Sequence, residues 1–192
     1  MANDGAGLTA SELLWAVPGL KYPTLNFWIT SGLLEASGRA ASGKGSVRRF
    51  LLPDVTAAQV IMALRSRISL QQLRKVTARL RRSHQQAQHP LASTTLFIVP
   101  GDTPDVARVE ITDDANKMLE SLVRNPGQRF LTPVLLPLEP IVREVRERVA
   151  MIQLKRDERE AMRRARARVS MREASRRYQA RKRDQRRGAA MP

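Results

Sequence analysis

Cysteine is absent from the 192 residues. That one absence excludes disulfides, thiolate metal ligands and a cysteine nucleophile, and it fits a reducing intracellular compartment. Aromatic residues are scarce at 4%, so a core must be built from aliphatic side chains, for which an apolar content of 42% suffices. No uninterrupted apolar run approaches the ~20 residues of a membrane span. The opening "MANDGAGLTA" has no basic segment leading into an apolar one, which predicts no secretory signal and no membrane association. Histidine occurs twice, as His84 and His89, with no carboxylate or serine arranged around either for catalysis. Both read as exposed linker residues. Asp102, Asp105, Asp113 and Asp114 could be taken for a cation site, but turn and cap residues in solvent are the better reading. The sequence therefore predicts no catalytic residues, no metal, no cofactor and no enzyme activity.

What is present is positive charge. The net charge is +16 and the pI is near 11.5, which implies a polyanionic partner, most often nucleic acid. Its distribution divides the chain. Residues 1–90 carry 12 Lys/Arg against 4 acids, residues 91–141 carry 4 against 7, and residues 142–192 carry 18 against 7. Two basic segments flank an acidic one.

"LTASELLWAV" reads as a helix start, with Thr9 as N-cap and Glu12 completing a capping box. Leu13, Leu14 and Val17 give it an apolar face. "PGLKYP" stops that helix, and Pro23 suits the first turn of the next. In "TLNFWITSGLL", Leu25, Trp28 and Ile29 share one face, while Lys21, Tyr22, Asn26 and Phe27 point elsewhere. Two short helices across a tight glycine-containing turn are the helix-turn-helix pattern, whose second helix enters the major groove. A helical hairpin that merely packs is the alternative.

The residues that follow favour the first reading. "EASGRAASGKGSVRRF" is a Gly/Ser-rich tip ending in Arg48 and Arg49, as in a β-hairpin wing whose arginines reach phosphates. "LPDVTAAQVIMALRSR" predicts a third helix from Pro53, with Val60, Ile61, Leu64 and Ile68 on one face. "SLQQLRKVTARLRR" predicts a fourth, capped by Ser69 and Gln72. Its apolar stripe is Leu70, Leu73, Val76 and Leu80; Arg74, Lys75, Arg79, Arg81 and Arg82 cover the other faces.

In that order and spacing, residues 8–82 resemble the winged helix-turn-helix DNA-binding domain of the MerR family of bacterial regulators. The resemblance rests on Thr24-Leu25-Asn26-Phe27-Trp28 with Gly32-Leu33-Leu34, on Val47-Arg48-Arg49-Phe50, on Asp54 with Ile61 and Leu64-Arg65, and on Ser69-Leu70 with Leu73. It implies a DNA-binding surface at Lys21, Tyr22, Thr24, Asn26, Phe27, Lys44, Arg48 and Arg49. There are departures. Asn26 stands where the family pattern has an arginine, exchanging a cationic contact for an amide that can pair with adenine. Phe27, Trp28 and Val47 replace tyrosines, removing hydroxyl donors. Trp28 and Phe50 read as core residues.

The acidic stretch predicts two strands, "STTLFIVP" and "DVARVEI". A helix follows in "TDDANKMLESLV", with Asp113 as candidate cap and Ala115, Met118, Leu119, Leu122 and Val123 at helical spacing. "NPGQ" ends that helix, and "RFLTPVLL" can supply an edge strand, the position Pro133 allows. This segment weakly resembles the region after the headpiece in short MerR-like bacterial proteins, antitoxins among them. The family's metal sensors use cysteine thiolates, so this chain is no thiol-based sensor.

No proline or glycine interrupts the chain between Pro140 and Arg187, which as one helix would run ~70 Å. Val142, Val145, Val149 and Ile152 form a coiled-coil-like stripe that can pack on the domain or pair with a second copy. Beyond Leu154 that stripe fails. The arginines Arg163, Arg164, Arg166, Arg168, Arg176, Arg177, Arg181 and Arg183, with Lys182, then read as non-specific polyanion contacts, either on a solvated helix or on a chain ordered by its partner.

The expected fold class is α+β and mostly helical. Its parts are a flexible 1–7, a winged helix-turn-helix at 8–84, a linker at 85–93, a small acidic β module with one helix at 94–140, a long basic helix at 141–187 and a flexible 188–192. The expected function is sequence-specific binding of double-stranded DNA in bacterial or phage transcriptional control, in the cytoplasm at the nucleoid. A homodimer is expected, because one short recognition helix reads too few base pairs to be selective. One alternative keeps the headpiece but gives 94–154 to a protein partner, as in an antitoxin or a phage architectural factor. Another is an RNA- or ribosome-associated protein led by the arginine-rich tail.

Overall fold

The computed structural model describes residues 7–38, 47–86, 94–100, 107–123 and 134–188. Its elements run α1 (Ala10–Ala16), α2 (Tyr22–Thr30), α3 (Leu52–Leu64), α4 (Leu70–Gln86), β1 (Thr95–Pro100), β2 (Ala107–Thr112), α5 (Ala115–Val123), β3 (Val134–Pro137) and α6 (Leu138–Gly188). The class is α+β, mostly helical, with one small antiparallel sheet and a long C-terminal helix. The chain divides into two compact units, 1–149 and 150–192.

In the first unit, local chemistry sets the helix ends. Thr9 caps α1, and its backbone N–H and hydroxyl both donate to the Glu12 carboxylate, at 2.8 and 2.7 Å. Gly19, at φ +76°, makes the turn to α2, a conformation side chains with a Cβ resist. α3 begins where the Leu51 N–H donates to Asp54 Oδ2 at 2.8 Å. It ends at Leu64, so Ile68 lies beyond it and is only half-buried. Ser69 and Gln72 cap α4 reciprocally, with Ser69 N–H donating to Gln72 Oε1 at 2.9 Å and Gln72 N–H to Ser69 Oγ at 3.3 Å. Of the expected α4 stripe, Leu73, Val76 and Leu80 are buried but Leu70 is exposed. It stands at the first position of the helix.

The sheet has the order β2-β1-β3, with β1 antiparallel to both neighbours, Phe97 opposite Glu110 and Leu96 opposite Leu136. β2 and β3 therefore run the same way, and the α5 connection passes from one edge to the other. Leu96, Phe97 and Ile98 are all buried. Successive strand residues face opposite sides, so the central strand is covered on both faces. Asp114 caps α5, not the expected Asp113: Lys117 N–H donates to Asp114 Oδ1 at 2.9 Å. The "NPGQ" stop and Pro133 lie outside the described residues.

The compact units differ from the segments drawn from charge. α4 lies against β2, where Arg79 reaches Glu110 at 3.4 Å, so the segments 8–84 and 94–140 share one unit. α6 starts at Leu138 and contributes its first three turns to that unit. Leu138, Ile141, Val142 and Val145 are buried, and Arg148 donates to the Ala16 carbonyl at 3.1 Å. The valine stripe thus takes the packing option at its start. Gly7, assigned to a flexible end, is buried and accepts a hydrogen bond from Arg49.

In the second unit, α6 continues to Gly188. Ile152 is buried and Arg156 half-exposed, whereas residues 157–179 are exposed throughout. The unit carries 15 Lys/Arg against 5 acids. Among the described residues no helix is long and apolar enough to cross a membrane.

Candidate nucleic-acid interface

α2 is held by its inner side and its two ends. Leu25 and Trp28 are buried, and Thr24 and Ile29 flank them half-buried. The exit is a Schellman turn: Gly32 stands at φ +71°, Gly32 N–H donates to the Ile29 carbonyl at 3.1 Å and Leu33 N–H to the Trp28 carbonyl at 2.8 Å. Leu33 and Trp28, the two residues this motif brings together, are both buried. The SGLL sequence is therefore a built stop. Arg74 of α4 adds a hydrogen bond to the Ser31 carbonyl at 3.3 Å, placing a guanidinium at the C-terminal end. Its charge also suits the negative end of the helix dipole.

What α2 turns outward is Tyr22, Pro23, Asn26, Phe27 and Thr30. At 3.6 residues per turn these fall within an arc of about 140°. Tyr22 is 61% and Phe27 53% exposed; elsewhere in the chain Trp15 and Tyr178 are also exposed by half or more. Thr30 donates its hydroxyl to the Asn26 and Phe27 carbonyls, at 3.0 and 3.2 Å, so it is occupied within its own helix. The Asn26 amide is the freest hydrogen-bonding group of the arc's centre. No acidic residue lies in α2, and Lys21, exposed, is its N-cap. The arc can offer one amide, one apolar ring and one phenol, with a cation at each end.

The two arginines expected at the wing, Arg48 and Arg49, stand in different surroundings. Leu8 and Phe50 form an isolated antiparallel bridge, Leu8 N–H donating to Phe50 O at 2.8 Å and Phe50 N–H to Leu8 O at 2.9 Å. Arg49 sits within it, half-buried, and donates to the Gly7 carbonyl at 3.2 Å. A Cβ at Gly7 would come within 2.8 Å of Arg49 Cβ, and one at Gly38 within 2.9 Å of the Arg49 carbonyl oxygen, so both glycines are required by close approach. Arg49 is tied to the fold. Arg48 is half-exposed and has no hydrogen-bond or ion-pair partner among the described residues. Lys44 lies outside the described residues.

A buried carboxylate that composition did not mark as special joins Ser37 to the start of α3. Asp54, 8% exposed, accepts from Leu51 N–H, from Ser37 N–H at 3.0 Å and from the Ser37 hydroxyl at 2.8 Å. Its place three residues after Leu51 signals the capping role, but nothing in the sequence pairs it with Ser37.

Arg163, Arg164, Arg166, Arg168, Arg176 and Arg177 are exposed on the helix of the second unit. Arg164 pairs with Glu160 one turn earlier. The side chains of Arg181, Lys182 and Arg183 lie outside the described residues, as do Asp102, Asp105, His89 and the His84 side chain. Among the described residues no group of three His, Asp or Glu side chains could hold a metal ion. No family model matches the chain, and no curated protein matches it.

Proposed function

We propose that this chain is a sequence-specific double-stranded-DNA-binding protein of the winged helix-turn-helix kind, similar to MerR-type headpieces, acting at the nucleoid in transcriptional control. The observation that carries the reading is the outward arc of α2. It is an exposed helical surface with an amide and two aromatics, free of acids, bounded by Lys21 and Arg74, and mounted on a buried inner side and a Schellman stop. A helix of this width fits the major groove, where base edges present distinct donor and acceptor patterns. Phosphate contacts then come from Lys21, Tyr22 and Arg48, which position without specifying. Two copies on a two-fold-related site supply the selectivity that one nine-residue helix lacks.

The exposed second unit supports an added, sequence-independent attraction to polyanions through counterion release. The test of the whole reading is selection of the full-length protein on random duplexes. A defined enriched motif, repeated with two-fold symmetry, is expected. An unenriched pool with equal retention of duplex and RNA would instead favour the RNA-associated reading led by the tail.

A further inference from the structure

We infer that Phe27 is a specificity-determining residue that packs on a thymine methyl next to the adenine read by Asn26, so that α2 selects sites containing adjacent A·T pairs. This deepens the DNA reading above and rests on it.

Phe27 holds its ring out on the arc of α2 although Leu25 and Trp28, on the same helix, are buried. An exposed ring of that size loses free energy in water and gains it only against an apolar surface. It carries no donor or acceptor, so it can neither hold a phosphate nor pair with a polar base edge. On the floor of the major groove the apolar group that projects from a base is the thymine C5 methyl. Asn26, the next residue back, has an exposed amide whose one donor and one acceptor match adenine N7 and N6. Asn26 and Phe27 both lie on the outward arc of α2, about 100° apart around its axis. A helix laid in the groove can therefore set both side chains against base edges at once, on pairs that stack about 3.4 Å apart. The Thr30 hydroxyl proton is directed to the Asn26 and Phe27 carbonyls, which leaves the donor facing adenine N7 to Asn26. The cations at both ends of α2, Lys21 and Arg74, make an anionic occupant of this face the complementary one.

The experiment starts from the duplex enriched by the full-length protein and replaces each thymine in turn by uracil, which removes the methyl and leaves every hydrogen-bonding group. Affinity should fall about fourfold at one thymine per half-site, the worth of one methyl-sized group removed from water, and stay constant elsewhere. Phe27→Ala should bind the thymine and uracil duplexes equally, and Phe27→Leu should keep part of the difference. Because the ring is half exposed, neither variant should unfold, which a thermal melt checks. If the wild type binds all uracil duplexes as tightly as the parent duplex, the inference is overturned while the DNA reading stands. If no duplex is enriched at all, both fall. If the uracil effect persists in Phe27→Ala, another residue reads the methyl and the assignment to Phe27 is wrong.

Discussion

Gly32 sets the exit of α2 and Asp54 joins Ser37 to the start of α3, and each gives a measurable expectation. Gly32 adopts a left-handed conformation with open space around it, since an added Cβ would meet nothing within 4 Å. Gly32→Ala therefore isolates the backbone cost of that conformation, about 1 kcal/mol, with no clash to confuse it. The expected result is a lowered thermal midpoint and an unchanged preferred DNA sequence. Asp54 gathers two backbone donors and a hydroxyl, 8% exposed. Asp54→Ala strands those donors and should cost about 3 kcal/mol in a urea titration. Asp54→Asn, which keeps one acceptor oxygen, should cost less. Equal losses in the two variants would mean that the contribution comes from charge and not from acceptor number.

At the scale of elements, Arg48 and Arg49 look alike in sequence but differ in their surroundings. Arg48→Ala should flatten the salt dependence of DNA binding by about one phosphate contact, because its side chain is held by nothing among the described residues. Arg49→Ala should act mainly on stability, by about 1 kcal/mol, since its guanidinium bonds Gly7 O. A salt slope reduced equally in both variants would place Arg49 at the interface after all. The difference between the two was not legible in "SVRRF", because the partner of Arg49 lies 42 residues away. Ser37 and Asp54, 17 residues apart, were hidden for the same reason. Where interactions close within one helical turn, the sequence was readable: Thr9 with Glu12, Ser69 with Gln72, and Gly32 at the exit of α2. Asp113 against Asp114 was a one-residue error between two equally good caps. Leu70 kept the right spacing but stands at the first position of its helix and stays exposed, and periodicity does not mark where packing begins. Of the candidate site, the outward placement of Tyr22, Asn26 and Phe27 followed from helical spacing, while the Arg74 clamp on Ser31 needed the tertiary fold.

At the scale of the whole molecule, charge and structure partition the chain at different places. Residues 1–149 carry 19 Lys/Arg against 13 acids, and residues 150–192 carry 15 against 5. Deleting 155–192 should leave the preferred DNA sequence intact and weaken binding to every duplex, most at low salt. Salt titrations on specific and scrambled duplexes would check this, and superimposable curves for the full and shortened chains would remove the tail from the interface. Within the first unit, one bond has a temporal meaning. Arg148 closes on the Ala16 carbonyl across 132 residues, so the end of α1, from which the turn to α2 departs, receives its last clamp only once the start of α6 exists. Contacts this distant in sequence form late, because the loop they close must first be ordered. During synthesis, α1 and α2 therefore leave the ribosome long before their support does, and the arginine-rich segment follows only after that support has been made. A polyanion such as ribosomal RNA thus meets the most basic part of the chain when the unit ahead of it already has every residue it needs to fold.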